Sequence, residues 1–496
     1  MLRSIRIFLG VICLIAVTAL FLDVTGSVYH WWGWLAKIQF MPAVLSLNIA
    51  VIVALIVLTL VLGRVYCSVI CPMGVYQDVV NWIHRKISKK HKFTYSKPLA
   101  WLRILFLALF VILIILGLAR IAAYIEPYSA YGRMVSSLLK PLYVEGNNLI
   151  ADNVAADNYT FYHVDYYFSW AIAIVGIITF VVVTACAWVN GRIYCNTICP
   201  VGTILGYLSQ WSLLKPYIDT SKCINCGKCA RECKASCIDA KNHKIDYTRC
   251  VECMDCLGNC SKNAIVYGIP KKLSQLKSKQ SDKDKPVDTG RREMLTVGAL
   301  LAGSAILKAQ DKTVDGGLAV ILDKEKPVRK TRITPPGSLG HRNFTNQCTA
   351  CQLCISNCPN NVLRPSADAE HFMQPEVSYE RGYCRPECTN CSSVCPVGAI
   401  KPIDSAEKSS IQIGHAVWIK ENCLAYSGEA ACSGCARHCP VGAITMIPKS
   451  ADEPDGIKIP LVDVERCIGC GACENLCPVR PFSAIYVEGH EQHRYI

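Results

Sequence analysis

Cysteines constrain this chain more than any other residue type, because 31 of them occur in 496 residues. Disulfide scaffolds are short secreted domains, so closely spaced cysteines in a chain of this length favour metal sites. Most of the cysteines stand in six blocks of four. The blocks are Cys223, Cys226, Cys229 and Cys233; Cys250, Cys253, Cys256 and Cys260; Cys348, Cys351, Cys354 and Cys358; Cys384, Cys388, Cys391 and Cys395; Cys423, Cys432, Cys435 and Cys439; and Cys467, Cys470, Cys473 and Cys477.

The spacing inside the blocks predicts iron–sulfur clusters. Blocks one, two, three and six read C-x2-C-x2-C-x3-C, whereas blocks four and five have one wider gap each. This is the spacing of bacterial [4Fe–4S] ferredoxins. A tetrahedral zinc site would instead use two Cys-x-x-Cys pairs set apart. We therefore predict six [4Fe–4S] clusters with these cysteines as iron ligands.

The residues next to the blocks vary. Proline follows the fourth cysteine of the last four blocks, and it suits the first turn of a helix because it needs no amide donor. Lys234 and Ser261 take that place in blocks one and two, which weakens the local match without removing a ligand. Cys237 has no fixed role and is interpreted as a spare thiol beside a cluster.

In two-cluster ferredoxins, the fourth cysteine of a block ligates the other cluster of the pair. Blocks one and two should form one such pair, with Cys260 completing the first cluster and Cys233 completing the second. Among the last four blocks, three and six are regular while four and five are distorted. We expect nested pairing, three with six and four with five, and sequential pairing stays open.

Four apolar segments approach the ~20 residues that a membrane-spanning helix needs. They cover residues 5–22, 44–63, 99–119 and 168–189. Basic residues flank the first segment and follow the second and fourth, whereas the loop between the third and fourth is acidic. Because Lys and Arg favour the cytoplasmic side, we expect the N-terminus, residues 64–98 and the stretch after residue 190 in the cytoplasm.

A fifth apolar run, 294–307, follows the pair Arg291 and Arg292. Paired arginines before a short apolar run are typical of a twin-arginine export signal, and no good cleavage site follows. We interpret the run as a signal anchor that places the C-terminal domain outside. The alternative is an ordinary basic pair before a core helix.

The predicted fold is a membrane α-helical bundle of four spans, with a fifth at 294–307, plus α+β ferredoxin-like iron–sulfur domains. We divide the chain into a membrane unit (1–215), a two-cluster ferredoxin (216–270), a linker with the signal anchor (271–330) and a four-cluster ferredoxin domain (331–496). The linker begins with a polar, charged stretch that has no hydrophobic periodicity.

Two further cysteine pairs lie in the membrane unit, in the repeated motifs CSVICP and CNTICP. The first contains Cys67 and Cys71, and the second contains Cys195 and Cys199. Both motifs follow Gly-Arg-Val/Ile-Tyr, which indicates duplication of a two-helix unit. A helical i,i+4 spacing would place both sulfurs of a pair on one face. Three roles stay open: a metal or cluster site, redox thiols, or structural closure of the helix ends.

Absences in the sequence exclude several cofactors and partners. There is no Cys-x-x-Cys-His, and no histidine lies within a predicted span, so haem is not expected. There is no Gly-x-Gly-x-x-Gly after a strand, so neither a flavin nor a nicotinamide dinucleotide is expected. The formal charge of +14 is concentrated in particular loops without a recognition module, which favours membrane orientation over nucleic-acid binding.

These motifs resemble two kinds of known protein. Residues 1–270, with four spans, two C-x3-C-P motifs and a two-cluster block, are similar to membrane quinol-dehydrogenase subunits of the NapH type. That group extends to the membrane parts of NosR and to copper-oxidase assembly ferredoxins. The part from about residue 290 resembles exported four-cluster ferredoxins of the NapG/MauM type. This chain differs in being a fusion, and it lacks the flavin domain of NosR and the C-terminal β-domain of the assembly ferredoxins.

The resemblance implies a protein of the bacterial inner (cytoplasmic) membrane that contacts lipid and oxidises quinol. Electrons would pass through the clusters to a periplasmic reductase or electron-carrier protein, with the C-terminal domain in the periplasm. Two other functions stay open: a metallocentre assembly or maturation factor that reduces a metal for a partner enzyme, and a passive ferredoxin subunit. The sequence identifies neither catalytic residues nor the quinone pocket.

Overall fold

The computed structural model describes residues 2–23, 26–88, 92–153, 163–164, 166, 168–270, 322–450 and 456–496. The twin-arginine-like stretch and the predicted fifth span at 294–307 lie outside the described residues. The described residues up to Pro270 and from Glu325 onward form one compact unit. This unit holds the helical bundle and both ferredoxin parts.

The first part of the chain is helical. Its helices are Leu2–Leu22, Ser27–Trp32, Trp34–Lys37, Phe40–Leu45, Ile49–Leu62, Val65–Val69, Pro72–Ile87, Ala100–Ile115, Ala119–Ala122, Pro127–Met134, Lys140–Asn153, Trp170–Asn190 and Pro200–Leu208, with π-helical turns at Val135–Leu139 and Tyr194–Ile198 and a 3-10 turn at Ser209–Trp211.

Two helices are long and apolar enough to cross a membrane by length and composition, Leu2–Leu22 and Trp170–Asn190. The other two predicted spans form shorter apolar helices, Ile49–Leu62 and Ala100–Ile115. At 1.5 Å per residue these reach only about 21 and 24 Å, less than the ~30 Å hydrocarbon core of a bilayer. The structure thus supports two candidate membrane helices where the sequence predicted four spans.

The ferredoxin parts consist of short helices and two-stranded antiparallel sheets, as predicted for α+β iron–sulfur domains. The strand pairs are Lys215–Ile218 with Ile265–Gly268, Ile238–Asp239 with Lys244–Ile245, Leu363–Pro365 with Pro375–Val377, Ile411–Trp418 with Ile485–Tyr495, and Ile444–Pro448 with Lys458–Val462. The helices are Lys228–Arg231, Asp255–Asn259, His341–Gln347, Leu353–Ser356, Asn390–Val394, Ser405–Ser410, Leu424–Ser427, Gly434–Arg437 and Ala472–Asn475, with 3-10 turns at Ala369–His371 and Lys420–Asn422.

The two ferredoxin parts pack at opposite ends of helix Leu2–Leu22. At its N-terminal end, Arg3 donates to Asp255 of the first ferredoxin at 2.8 Å. At its C-terminal end, Phe21 packs on Gly132, where an added Cβ would also lie 2.8 Å from the carbonyl oxygen of Cys351. A helix of this length spans about 30 Å. The bundle therefore separates the first two cysteine blocks from the last four.

A continuous hydrophobic core joins the bundle to the nearer half of the C-terminal domain. It includes Leu20 and Phe21 of the first helix together with Leu353, Tyr379 and Val394 beside blocks three and four. Blocks one and two have a separate core, and so do blocks five and six. The C-terminal domain is therefore fixed to the bundle through its first two blocks.

Candidate iron–sulfur and thiol sites

The structure gathers the first two blocks into two four-cysteine sets. One cavity is lined by Cys223, Cys226, Cys229 and Cys260. A second is lined by Cys233, Cys250, Cys253 and Cys256, with Cys237 beside them. In each cavity, three cysteines come from one block and the fourth from the other. This is the exchange of fourth ligands that the spacing predicted.

The last four blocks pair sequentially, so the expectation of nested pairing is wrong. Helix Leu353–Ser356 of block three packs against Asn390–Val394 of block four, and Gly434–Arg437 of block five packs against Ala472–Asn475 of block six. Pairs close in sequence need only short connections, and the wider gaps in blocks four and five are accommodated within each pair. Regular spacing was therefore a poor guide to which blocks meet.

The electrostatic neighbours of the thiols give the same pairing. Burial, and then Cys348, Cys351 and Cys395, raise the pKa of Cys354. Burial also raises the pKa of Cys435 to about 11, with Cys477 among its neighbours. The sets are thus Cys348, Cys351, Cys354 and Cys395; Cys384, Cys388, Cys391 and Cys358; Cys423, Cys432, Cys435 and Cys477; and Cys467, Cys470, Cys473 and Cys439.

The donor sets fit [4Fe–4S] clusters. Each is composed of four thiols on short loops, and iron deprotonates a coordinating thiol whatever its free pKa. Backbone amides also point at the sulfurs: Ala264 N–H donates to Cys260 Sγ and Ala443 N–H to Cys439 Sγ, both at 3.2 Å. Such hydrogen bonds raise the reduction potential of a cluster, because they stabilise the more negative reduced form.

Lys234, which replaces proline after block one, anchors that block to the bundle. Its ammonium group lies 3.0 Å from Asp78 of helix Pro72–Ile87 and 3.0 Å from Asp255 inside block two. Asp78 also pairs with Arg6 at 2.6 Å and Arg192 at 2.8 Å. Sequence analysis missed this network, although the break in the proline pattern marked its central residue.

Arg6 and Arg103 lie near the ends of two of the apolar segments, 5–22 and 99–119. Both are buried. The guanidinium of Arg103 donates to the hydroxyl and carbonyl oxygens of Thr248 at 3.0 and 3.1 Å. These arginines therefore hold the first ferredoxin rather than only marking the membrane surface.

The two C-x3-C-P motifs converge in the bundle, but the two cysteines of a motif do not share one helix. Cys67 lies in helix Val65–Val69, whereas Cys71 has an extended backbone (ψ 114°) and caps the helix that begins at Pro72. Cys199 caps Pro200–Leu208 in the same way. The residue before proline is biased to extended conformations, so the predicted i,i+4 helical face is wrong.

The motifs are related by an internal exchange of arginine contacts. Arg192 of the second motif donates to the carbonyl oxygen of Cys67 at 2.8 Å, and Arg64 of the first donates to that of Cys195 at 3.4 Å. Each arginine also lies 3.7 Å from the sulfur of its own motif, on Cys195 and Cys67 respectively. The predicted duplication is thus visible as a matched pair of contacts. All four cysteines are buried.

Glycines permit this close packing. A Cβ on Gly74 would lie 2.1 Å from the carbonyl oxygen of Cys67, and one on Gly202 would lie 2.1 Å from that of Cys195. Gln77 donates to Cys195 Sγ at 3.2 Å, and the amide of Gly202 donates to Cys199 Sγ at 3.3 Å. Cations and hydrogen-bond donors therefore lie around these sulfurs, but burial outweighs them and raises the pKa of the Cys67, Cys71 and Cys199 thiols.

This four-thiol centre lies between the two ferredoxin parts. On one side, Arg64 donates to the carbonyl oxygen of Thr248, two residues before block two, at 3.1 Å. On the other side, Tyr194 donates to the carbonyl oxygen of Ile125 at 3.0 Å. Arg133 then donates to the carbonyl oxygen of Thr349, inside block three, at 3.4 Å. Protein contacts thus connect the centre to both ends of the bundle.

The remaining cysteines differ in their surroundings. Cys237 is buried, and its sulfur lies 3.5 Å from that of Cys233, a predicted cluster ligand. This is the position expected for a spare thiol beside a cluster. Cys13 and Cys186 lie half-buried in helices Leu2–Leu22 and Trp170–Asn190, far from any cysteine block in sequence.

Comparison with known families agrees with these sites. A model described as a 4Fe-4S binding domain matches residues 45–90 and 172–218, the two C-x3-C-P repeats. A 4Fe-4S dicluster domain matches 347–399 and 430–480, which are blocks three with four and blocks five with six. A further 4Fe-4S binding domain matches 216–239. The dicluster matches support sequential pairing.

Curated relatives identify the group. The methylamine utilization ferredoxin-type protein MauM of Methylobacillus flagellatus is 33% identical over 166 residues, which is 32% of this chain and 70% of the relative. The chain belongs to the ferredoxin-type proteins. NapF of Escherichia coli K12 is 33% identical over 32% of the chain and 87% of its own length. NapG of the same strain is 30% identical over 38% of the chain and 81% of its own length. No solved structure matches.

Membership of the ferredoxin-type proteins supports electron transfer through multiple [4Fe–4S] clusters as the chemistry of this protein. The six sets of cysteines are the residues that would hold these clusters. A [4Fe–4S] cluster accepts and releases one electron at a time. The protein positions the thiolates, buries them and supplies amide donors and nearby cations, and these determine the potentials.

Proposed function

We propose that the protein is a membrane-bound quinol-oxidising electron-transfer protein that delivers electrons to a periplasmic reductase or electron carrier. The observation that carries the proposal is the placement of two ferredoxin parts at opposite ends of an apolar helical bundle, with four buried thiols between them. An iron–sulfur protein without a membrane role has no need of this arrangement.

The surface of the bundle supports contact with lipid. In the apolar 18-residue stretches of helices Leu2–Leu22 and Trp170–Asn190, only 33% and 28% of the residues are buried. The core helices of soluble proteins are mostly buried. The two shorter helices also expose large apolar side chains, and large exposed apolar areas indicate a partner or a membrane. Exposed examples are Val53, Val57, Trp101, Ile104, Leu105, Leu109, Ile112, Ile115, Ile174, Ile178, Val181 and Val182.

Four spans therefore remain our proposal, with the two short helices extended by adjacent turns. Helix Phe40–Leu45 precedes Ile49–Leu62, and Ala119–Ala122 follows Ala100–Ile115. In this arrangement the first ferredoxin lies on the cytoplasmic side, beside the basic segments. The C-terminal domain lies on the periplasmic side, as the twin-arginine interpretation requires.

The four-thiol centre supplies a candidate relay between the two sides. Cys67, Cys71, Cys195 and Cys199 come from two repeats that match a 4Fe-4S binding domain. We propose that they hold an additional redox metal centre, which would connect clusters that a bilayer otherwise separates. Their burial among Arg64, Arg192 and Gln77 would suit an anionic thiolate set.

The acceptor is proposed from the relatives. NapG and NapF are ferredoxin-type proteins, and MauM serves methylamine utilization by its name. The blocks farthest from the bundle along the chain, five and six, form their own core and are only partly buried. We propose this end of the C-terminal domain as the exit for electrons.

The proposal is tested with purified holoprotein in detergent under anaerobic conditions. A quinol analogue should bleach the visible absorption of the clusters, and dithionite should define full reduction. Bleaching by quinol supports quinol oxidation. Reduction by dithionite alone would reject it, and would favour a passive ferredoxin or a maturation factor that receives electrons from a partner.

A further inference from the structure

We propose that the quinol headgroup binds in the cavity between the π-helical turn Val135–Leu139 and block three, at the C-terminal-domain end of the bundle. The inference rests on the proposed function and assigns its substrate site. The cavity has a volume of about 220 Å³. This is room for one ring-sized headgroup, with the isoprenoid tail outside.

The cavity contains polar groups that the protein itself does not satisfy. Ser136, Ser137 and Gln352 line it, and each side chain is at least nine-tenths buried. Within the described residues, Ser136 Oγ, Ser137 Oγ and Gln352 Nε2 have no hydrogen-bond partner. Buried polar atoms are normally paired, so unpaired ones around a cavity indicate a polar ligand. A quinol offers two hydroxyl groups that can pair with them.

The backbone at this cavity is itself unusual. Ser136 and Ser137 lie in a π-helical turn, and such turns often occur at functional sites. Tyr166 donates from its hydroxyl to the carbonyl oxygen of Ser136 at 3.0 Å, which closes one wall. Arg381 of the C-terminal domain donates to the carbonyl oxygen of Tyr166 at 3.0 Å. The cavity is therefore shared by the bundle and the C-terminal domain.

Lipid has access to the same place. Phe168 lines the cavity and makes an edge contact with Trp170, at a centroid distance of 5.0 Å. Both rings are exposed, as is Leu142 on the opposite helix. Aromatic residues of this kind favour the membrane interface. An apolar tail can thus leave the cavity along the bundle surface.

The electron acceptor adjoins the cavity. Cys358 and Pro359 line its inner wall, and Cys358 belongs to the set completed by Cys384, Cys388 and Cys391. Quinol loses two electrons and two protons as it becomes quinone. Two oxidised [4Fe–4S] clusters held by the C-terminal domain would each accept one of these electrons. The two protons would leave one after the other to water on the same side, by way of the exposed imidazole of His163 at the cavity.

With quinol at this location, its electrons do not need to cross the membrane to reach the C-terminal domain. Electrons that enter beside Cys358 reach the C-terminal domain directly, without passing the clusters of residues 223–260. The four-thiol centre then links the first ferredoxin to the same entry end, instead of being an obligatory step between quinol and acceptor.

Photolabelling by an azidoquinone provides a binding test that does not depend on turnover. We expect labelled peptides from residues 136–173 and 352–365 of the intact holoprotein. Val164→Trp narrows the cavity while leaving its backbone hydrogen bonds to Asn148 in place. Ser136→Leu removes one unpaired hydroxyl and fills the space. The matched control is Val181→Trp, the same type of change on an exposed position of helix Trp170–Asn190.

Both cavity variants should lose most of the labelling and raise the half-saturating quinol concentration about tenfold or more. For Ser136→Leu this is the loss expected for a removed buried polar contact, and for Val164→Trp it results from the indole occupying the space of the headgroup. The control should match the wild type. Full reduction by dithionite reports the cluster content of each variant, so a misassembled variant is recognised. If Ser136→Leu fails to assemble, Val164→Trp decides the outcome alone.

Several results would overturn the assignment. If quinol bleaches the wild-type clusters but the azidoquinone labels other peptides, the cavity is rejected and the proposed function still stands. The same holds if quinol bleaches the wild-type clusters and both cavity variants are labelled like the wild type. Phospholipid that occupies the cavity and is not displaced by the quinone analogue would also reject it. If the wild type neither takes up the label nor accepts electrons from quinol while dithionite reduces it, the proposed function fails together with the site.

Discussion

Lys234 shows how a single residue outside the ligand set positions a cluster block. Proline is the usual residue after a fourth cysteine here, yet this lysine reaches two buried carboxylates, Asp78 and Asp255. Its carbonyl oxygen also accepts from the amide of Arg192 at 2.9 Å. Removing one partner from such a buried charge network is costly because the others remain unpaired.

Asp78→Asn should therefore loosen the first ferredoxin from the bundle. Arg6, Arg192 and Lys234 would share one fewer negative charge, and we expect a loss of about 3 to 5 kcal/mol in the free energy of unfolding. The measurement is thermal unfolding of the holoprotein, followed by cluster absorption. Asp219→Asn, at an exposed carboxylate that pairs only locally, is the control and should unfold like the wild type. Equal midpoints for both variants would contradict the network.

The same carboxylate predicts an acid dependence. Burial alone would raise the pKa of Asp78, but Arg192, Lys234 and Arg6 outweigh it and hold that pKa well below the usual value. A lowered folded-state pKa stabilises the fold fully above the unfolded pKa of about 4 and less as pH falls below it. Stability should thus decline in acid. Asp78→Asn should show a shallower decline, and parallel profiles for the two proteins would count against this origin.

At the residue level, the cysteine spacing singled out thiols that the structure brings together, but it did not reveal the residues that support them. A ligand motif is local, so its spacing can be read along the chain. Asp78, Arg192 and Lys234 are distant in sequence and meet only through the fold. The unpaired hydroxyls of Ser136 and Ser137 could not be predicted from the sequence either, because they become buried only when the bundle packs against the C-terminal domain.

At the level of elements, each C-x3-C-P repeat needs a glycine in the first turn of the helix that follows it. This glycine packs against the carbonyl oxygen of the first cysteine of the repeat. Gly74→Ala would place a methyl group 2.1 Å from the carbonyl oxygen of Cys67 and 2.6 Å from Arg192. Because the backbone of Cys67 cannot easily move away, we expect Gly74→Ala to lower the free energy of unfolding by about 1 to 3 kcal/mol or more.

Gly146→Ala is the matched control for this change. Gly146 lies inside helix Lys140–Asn153 and has nothing within 4 Å of the added Cβ. Alanine there should stabilise the helix by roughly 0.5 to 1 kcal/mol. Unfolding midpoints that move in opposite directions support the packing described for the repeats, and a neutral Gly74→Ala would contradict it.

A second prediction at this level concerns metal in the four-thiol centre. The double variant Cys67→Ser/Cys195→Ser should contain less iron per chain than the wild type, because it removes one ligand from each repeat. Cys13→Ser, in helix Leu2–Leu22 and outside every site, should retain the wild-type content. Iron analysis with dithionite-reduced spectra measures both. Identical iron content in all three proteins would leave the thiols without a metal centre.

The elements also show where sequence patterns mislead. Proline at 72 and 200 ends the preceding turn, which the i,i+4 spacing of the cysteines concealed. Block regularity suggested nested pairing, whereas the structure pairs block three with four and block five with six. Apolar length predicted two helices correctly at Leu2–Leu22 and Trp170–Asn190, whereas the other two segments are divided by turns.

In the whole molecule, the two ferredoxin parts lie at opposite ends of the helical bundle. Arg3 and Arg6 pair with Asp255 of the first ferredoxin at one end of the first helix, and Phe21 faces block three at the other. The order of segments along the chain could not show this, because the two ferredoxin parts are separated in sequence by residues 271–330. The fold places the cavity that we propose for quinol, the four-thiol centre and blocks three and four in contact with one bundle.

The central claim is that the two ferredoxin parts lie on opposite sides of a membrane. The most direct test labels a small tag with an impermeant reagent, at the exposed turn beside Asn242 or after Ile496, in intact and in permeabilised cells. We predict that the tag after Ile496 is labelled in intact cells, and only when twin-arginine export is functional. The tag beside Asn242 should react only after permeabilisation. Labelling of both tags from the same side would contradict the account.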